Sequence, residues 1–169
     1  YTATINDLPP SGTSIQKGYY GVSCFNGTQW TANNNRGFFF DDFNTISSLW
    51  TIKTGTWNAT SGTLLQTDES SSNTNIYAAL TQTLSNRYMY HFKIKLDGTG
   101  TNRRGGFHFF ADNADSSNRN NSYFVWFRLD NQKFQLYKTV NNTFGSPVVD
   151  IPLTFSANTW YDVKVTYDR

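Results

Sequence analysis

The clearest indication of the fold is the stretch from Gly105 to Leu129, which reads GGFHFFADNADSSNRNNSYFVWFRL. Two aromatic-rich runs, Gly106 to Ala111 and Ser122 to Leu129, flank a segment rich in Asp, Asn and Ser. This arrangement is typical of two antiparallel strands that are joined by a polar loop. We therefore predict that the two runs lie at the centre of an antiparallel β-sandwich.

The second run carries aromatic side chains on both of its faces. Because a strand has a two-residue period, one face holds Tyr123, Val125, Phe127 and Leu129, and the other holds Phe124, Trp126 and Arg128. A face that only met water would not need two large aromatic rings. The second face is therefore either covered by more protein or offered to a ligand.

The composition favours an all-β protein with one main core. The chain has 169 residues, of which 17% are aromatic and 15% charged, and a domain typically runs to about 100 to 150 residues. The 14 Lys and Arg and the 12 Asp and Glu are scattered along the chain, so we expect no nucleic-acid partner. The single cysteine, Cys24, excludes an intrachain disulfide and a cysteine-based metal site.

Localisation is predicted from composition and from the absence of long apolar runs. No run approaches the ~20 apolar residues that span a bilayer, so we expect no membrane insertion. The abundance of Asn, Thr and Tyr is typical of secreted bacterial proteins, which predicts an extracellular or cell-surface location. No signal peptide precedes Tyr1, so we expect the chain to be a mature or excised piece of a longer protein.

Residues 1–37 differ in pattern from residues 38–169. The first segment has a turn-rich connection, one predicted strand from Tyr19 to Phe25, and a hairpin turn at Asn26-Gly27. It loosely resembles the last strands of a fibronectin type III or immunoglobulin-like module. We predict either the end of a preceding β-module with a linker, or strands that pair into the main sandwich.

Short strand candidates follow one another from Phe38 onward, separated by Gly, Ser, Asn and Thr, and no stretch shows a helical period. Alternation is cleanest in Arg87 to Leu96, where Tyr88, Tyr90, Phe92, Ile94 and Leu96 share one face. The predicted strands are Phe38–Phe43, Leu49–Lys53, Thr56–Ala59, Thr63–Thr67, Asn75–Leu84, Arg87–Leu96, Gly106–Ala111, Ser122–Leu129, Lys133–Val140 and Trp160–Asp168.

Several short motifs follow one another in a recognisable order: Phe39-x-Asp41-Asp42-Phe43, Leu49-Trp50, Gly55-Thr-Trp57, Gly62-Thr-Leu64 and Asn158-Thr-Trp160-Tyr161-Asp162-Val163. This order resembles the concanavalin A-like, laminin G-like jelly roll, over roughly residues 38–169. The resemblance implies further strands after the Trp-Tyr pair. We therefore expect a sandwich that is incomplete at its C-terminus, or one whose open edge another segment such as Tyr19–Phe25 fills.

The same resemblance includes glycoside hydrolases that carry the motif Glu-x-Asp-x-x-Glu on one strand. This sequence has a single glutamate, Glu69, so the motif is absent. The adjacent pair Asp41-Asp42 cannot replace it, because neighbouring strand residues point to opposite faces. We predict that the chain is not an enzyme, and a hydrolase or lyase would need an unfamiliar arrangement of carboxylates.

Calcium is the one candidate cofactor. The loop that contains Asp112 and Asp115 offers hard oxygen ligands, which suit Ca²⁺. Asp and Asn are also common turn formers, and the loop matches no defined calcium signature. Asp112 and Asp115 are the predicted metal ligands, with turn formation as the alternative.

A sugar-binding face follows if Arg87–Leu96, Gly106–Ala111 and Ser122–Leu129 lie in one sheet. Sugar rings stack on aromatic rings, and their hydroxyl groups need fixed donors and acceptors nearby. The predicted carbohydrate-binding residues are His91, His108, Phe110, Phe124, Trp126 and Arg128. The alternative is that these aromatics pack under missing strands or against a neighbouring domain.

These patterns together predict a non-catalytic, lectin-like module for carbohydrate binding or adhesion within a larger surface or secreted protein. Its expected partners are a polysaccharide or other glycan and neighbouring domains of the same polypeptide. The alternative from a different class is a structural spacer or interaction repeat without a glycan ligand.

Overall fold

The computed structural model describes residues 23–25, 30–32 and 39–168. These residues form strands and no helix, so they include no helix that could cross a membrane. The prediction of an all-β fold is confirmed. The strands are β1 (Ser23–Phe25), β2 (Trp30–Ala32), β3 (Trp50–Thr54), β4 (Trp57–Thr60), β5 (Thr63–Gln66), β6 (Asn75–Ala78), β7 (Tyr88–Lys95), β8 (Arg104–Phe109), β9 (Ser122–Arg128), β10 (Lys133–Val140), β11 (Thr143–Phe144), β12 (Val149–Pro152) and β13 (Trp160–Tyr167).

The chain divides into two compact units, residues 1–42 and 43–169. In the first unit β1 and β2 pair as an antiparallel two-stranded sheet. β1 is the end of the strand predicted from Tyr19 to Phe25. The start of that strand and the turn predicted at Asn26-Gly27 lie outside the described residues. That residues 1–37 end a preceding β-module, or instead fill the open edge of the sandwich, stays a prediction.

The second unit is built on two facing antiparallel sheets. The first sheet has the order β11-β10-β9-β8, with β12 also paired to β10. The second consists of β7 and β13. Two further antiparallel pairs, β3 with β6 and β4 with β5, belong to the same unit.

The core lies between the two sheets. It contains Phe109, Val125, Phe127 and Phe155, which are buried. Alternate side chains from both sheets pack around them: Tyr90, Phe92, Ile94, Leu96, Phe107, Tyr123, Leu129, Phe134, Leu136, Tyr161, Val163, Val165 and Tyr167. The predicted β-sandwich is therefore confirmed, with the inward faces that alternation predicted for β7 and β9.

Some predicted strand boundaries are wrong. Residues 39–43 form no strand, and Phe43 has a φ of 52°, which breaks an extended backbone. The strand predicted from Asn75 to Leu84 ends at Ala78. The sequence patterns also missed three short strands, namely β2 in the first unit and β11 and β12, which both pair with β10 in the first sheet.

Candidate functional site

The first sheet turns one face to the core and the other away from it. The outward side chains form what we call the Trp126 face, which consists of Arg104, Gly106, His108, Ser122, Phe124, Trp126, Arg128, Lys133, Gln135, Tyr137, Thr139, Phe144 and Asp150. These residues stand opposite one another in the strand register and alternate with the core residues. Trp126 lies near the middle, between Gly106 of β8 and Gln135 of β10.

Gly106 makes room for the aromatic rings of this face. A Cβ atom at this position would run into the Phe124 ring and the carbonyl oxygen of Val125. The phenyl ring therefore lies directly against the β8 backbone. A strand glycine of this kind marks a close approach to the backbone, so any larger residue would displace the aromatic side chain beside it.

One end of the Trp126 face is covered by the chain itself. The His108 and Phe124 rings stack with centroids 4.1 Å apart, and the Phe144 ring of β11 lies 5.7 Å from Phe124. Phe124 is 9% exposed as a result. His108 Nδ1 lies 3.0 Å from the hydroxyl of Ser122. Burial, with a smaller effect of the positive charge of Arg119, lowers the pKa of His108 to about 3.

The half-buried His108 predicts a pH-dependent stability. Because the folded-state pKa of His108 is about 3 against an ordinary 6.5, only the unfolded chain takes up a proton at mildly acidic pH. Stability from this group is complete above pH ~6.5 and falls as the pH drops toward ~3. We expect a loss of about 2 kcal/mol between pH ~7.5 and ~5.

Urea unfolding at the two pH values measures this loss for the wild type and for His108→Gln. His108→Gln should not show the additional loss of stability at pH ~5 that His108 causes. His91→Gln keeps His108 and should show that loss. An unchanged pH dependence in His108→Gln would show that His108 is not the neutral buried group.

We call the other end of the Trp126 face the open end, because Arg104 and Asp150 keep more than a third of their side-chain surface exposed there; it centres on the half-exposed Trp126. The guanidinium carbon of Arg128 lies 4.5 Å from the Trp126 ring centroid, and that of Arg104 lies 5.3 Å from it. The Tyr137 ring meets Trp126 edge-on at 6.0 Å. Two aromatic rings and two guanidinium groups are therefore held together on one surface.

A chain of polar contacts fixes the side chains around Trp126. Arg128 donates to both carboxylate oxygens of Asp130, at 2.9 Å from Nε and 2.7 Å from Nη2. Gln135 Nε2 donates to Asp150 Oδ1 at 3.2 Å, and Lys133 Nζ donates to Asp150 Oδ2 at 2.9 Å. These hydrogen bonds, chiefly from Arg128 and Lys133, hold the pKa of the Asp130 and Asp150 carboxyls below their usual range.

The structure brings together four of the predicted carbohydrate-binding residues. They share the Trp126 face and are His108, Phe124, Trp126 and Arg128. His108 and Phe124 lie at the covered end, and Trp126 and Arg128 lie at the open end. Their role in binding stays a prediction.

His91 is not part of this group. Its strand, β7, pairs with β13 in the opposite sheet, and His91 Nε2 lies 2.7 Å from Asp162 Oδ1. The prediction that β7, β8 and β9 share one sheet is therefore wrong. The alternation within β7 is as predicted, but the sheet to which it belongs is not.

Phe110 also points elsewhere. β8 ends at Phe109, and Phe110 has a φ of 54°, which turns its side chain off the alternating pattern. Its ring packs on Tyr167 at 4.7 Å and Tyr88 at 5.5 Å, beside the core. The prediction that Phe110 shares the outward face is wrong for this reason.

The two predicted metal ligands have separate protein partners. Asp112 accepts hydrogen bonds from the side chains of Asn121 and Asn120, at 2.7 and 2.9 Å; these bonds, chiefly those from Asn121, lower the pKa of Asp112 and close the loop. Asp115 lies 3.4 Å from Lys53 Nζ. No group of three or more His, Cys, Asp or Glu that could hold an ion is found in the part of the chain that the structure describes. The geometry favours the turn-forming alternative, and calcium binding stays a prediction.

The sequence patterns do not single out several residues of the Trp126 face, namely Arg104, Lys133, Gln135, Tyr137, Phe144 and Asp150. Some could have been found, because the short turn after β9 makes β9 and β10 a hairpin, and alternation along β10 then puts Gln135 and Tyr137 beside Trp126. Phe144 and Asp150 lie on β11 and β12, which carry no alternating signal of useful length.

Comparison with known proteins points to one solved structure. The chain matches the carbohydrate-binding module CBM66 from Bacillus subtilis with a TM-score of 0.57 and 18% sequence identity, over 69% of this chain and 66% of that module. The match thus spans a little less than two thirds of that module. At this identity the likeness concerns the β-sandwich fold. A scan against protein-family models finds no match, and neither does a search of curated proteins.

Proposed function

We propose that residues 43–169 form a non-catalytic carbohydrate-binding module that holds a glycan at the open end of the Trp126 face. The observation that carries this proposal is the Trp126 and Tyr137 pair of rings surrounded by side chains already held in place by hydrogen bonds. Stacking surfaces with fixed polar groups nearby are what a sugar ring and its hydroxyl groups require.

The likeness to a carbohydrate-binding module supports the same proposal, because its β-sandwich has the same fold. The proposal includes a place outside the cell, within a longer bacterial surface or secreted protein. An Asn-, Thr- and Tyr-rich chain with 15% charged residues is in keeping with that location.

The carboxylates of the face support binding without catalysis. Glycoside hydrolysis needs one protonated carboxyl, with a raised pKa, as the general acid. The pKa values of Asp130 and Asp150 are both lowered, so neither group is a proton donor at neutral pH. Glu69 accepts hydrogen bonds from the backbone N–H groups of Thr99 and Gly100, at 3.2 and 3.1 Å, and thereby binds a loop.

The covered end of the Trp126 face favours a second candidate function, a structural spacer or interaction repeat. The rings of His108 and Phe124 pack under Phe144, so internal packing explains their presence without any ligand. In this alternative Trp126 would also contribute to internal packing. Its replacement would then lower the stability of the fold rather than the affinity for a glycan.

A glycan array probed with the folded chain tests the proposal. We expect selective retention of a limited set of glycans, with the same result in the presence of a calcium chelator. A blank array with a well-folded sample would contradict carbohydrate binding and favour the spacer. Loss of binding with chelator would instead make Asp112 and Asp115 ligand candidates.

A further inference from the structure

We propose that the glycan bound at the Trp126 face carries an anionic group, a carboxylate or a sulfate, and that Arg104 binds this group. This inference rests on the proposed function, since it names the class of glycan that the same site would take. It follows from the partners of the two arginines and from the charge that they leave uncompensated.

The two arginines beside Trp126 differ in how far their donors are used. Arg128 forms a two-pronged pair with Asp130, through Nε and Nη2, and its Nη1 lies 3.5 Å from Gln135 Oε1. The side chain of Asp130 is 9% exposed, so this pair is well shielded from solvent. Arg128 is therefore largely committed to the protein.

Arg104 is free to bind a ligand. Among the described residues its side chain has one ion-pair contact, at 3.6 Å to Asp130, and it remains 38% exposed. Its guanidinium carbon lies over the Trp126 ring at 5.3 Å from the centroid, and a cation–π contact of this kind does not use up the N–H donors. The arginine is thus held in position with most of its five donors unused.

The charges around Trp126 do not cancel. Arg104, Arg128 and Lys133 supply three positive charges, whereas Asp130 and Asp150 supply two negative charges. Lys133 pairs with Asp150 and Arg128 pairs with Asp130, so the excess positive charge resides on Arg104. With a neutral sugar Arg104 would still share Asp130 with Arg128 and would have no anion of its own.

An anionic sugar would satisfy each part of the site. A carboxylate or sulfate accepts two parallel hydrogen bonds from a guanidinium group, which is stronger than a bond to a neutral hydroxyl. The sugar ring itself would pack beside Trp126 and Tyr137, and the exposed carboxylate of Asp150 would meet its hydroxyl groups. Binding should therefore weaken as the salt concentration rises, because Arg104 is partly exposed.

The test uses an array that carries uronate-bearing and sulfated glycans beside their methyl-esterified and desulfated counterparts. We expect retention of one anionic class and at least tenfold weaker retention of its neutral counterpart. Comparing the uronate pair with the sulfate pair shows whether the bound group is a carboxylate or a sulfate. Equal retention of a neutral counterpart would overturn this inference and leave carbohydrate binding intact. No retention of any glycan by folded protein would overturn both.

Arg104→Gln removes one positive charge at the site, and Lys164→Gln removes one positive charge elsewhere and serves as its control. Lys164 lies on β13 in the opposite sheet and is exposed. We expect Arg104→Gln to lose about tenfold or more in affinity for the retained glycan, Arg104→Lys to lose less, and Lys164→Gln to bind like the wild type. Equal losses in Arg104→Gln and Lys164→Gln would show general charge attraction and overturn the assignment.

Discussion

Replacing Phe127 by alanine should lower the free energy of unfolding by about 3 to 5 kcal/mol. Phe127 is 3% exposed, and its ring packs against Phe92 of the opposite sheet at 6.3 Å, Phe134 of β10 at 5.5 Å and Phe155 at 6.0 Å. The substitution would leave a cavity where both sheets meet. Urea unfolding followed by far-UV circular dichroism measures the loss.

Val148→Ala is the control for this prediction. Val148 is 64% exposed, so its truncation should change stability by no more than about 0.5 kcal/mol. If Phe127→Ala does not fold, Phe127→Leu keeps much of the apolar volume and should still lose more stability than the control. A Phe127 variant as stable as the Val148 variant would contradict the placement of the core.

The inward faces of the sandwich could be read from the sequence because alternation is a local property. In β9 the residues Tyr123, Val125 and Phe127 pack inward, as their two-residue spacing predicts. The same reasoning holds for Tyr90 and Phe92 of β7. Each of these strands has enough consecutive residues for the period to be visible.

The partner of each strand could not be read from one sequence. His91 shares a face with His108 only if β7 lies beside β8, but β7 pairs with β13. Strand pairing between distant segments depends on the packing of the whole unit, and no local pattern encodes it. The grouping within β8 and β9 was correct because these two strands are joined by a loop.

Departures from ideal strand geometry explain the other errors. The aromatic run at Phe39 and Phe40 has strand composition, yet Phe43 takes a left-handed conformation and no strand forms. Phe110 likewise has a positive φ, so its side chain does not follow the two-residue period of β8 and does not lie on the outward face. β12 is short and ends in Pro152, which weakens its strand signal although it pairs with β10.

Trp126→Ala is expected to weaken glycan binding by about 2 kcal/mol, which is roughly thirtyfold, because it removes the ring on which the sugar stacks. It also removes the surface that positions Arg104 and Arg128. The fold should survive, since Trp126 is half-buried and points away from the core. Calorimetric titration with the glycan retained by the array measures the change in affinity.

Thermal unfolding of the same variant distinguishes binding from a structural role. If the face binds glycan, Trp126→Ala should cost about 1 to 2 kcal/mol of stability. If the chain is instead a spacer whose aromatic face packs against a neighbour, Trp126→Ala should lose more stability. The loss should then approach the ~3 to 5 kcal/mol that is typical when a buried aromatic residue is truncated. A loss of that size would favour the spacer.

The most direct test of glycan binding at the Trp126 face is one calorimetric titration of the retained glycan into the wild type, Trp126→Ala and Trp160→Ala. Trp160 is 50% exposed and lies on β13 in the opposite sheet, so it provides a matched loss of one indole ring. The wild type and Trp160→Ala should bind with equal affinity, and Trp126→Ala roughly thirtyfold more weakly. Glycan binding at the Trp126 face would be contradicted if Trp126→Ala bound with wild-type affinity. It would also be contradicted if Trp160→Ala, rather than Trp126→Ala, lost affinity.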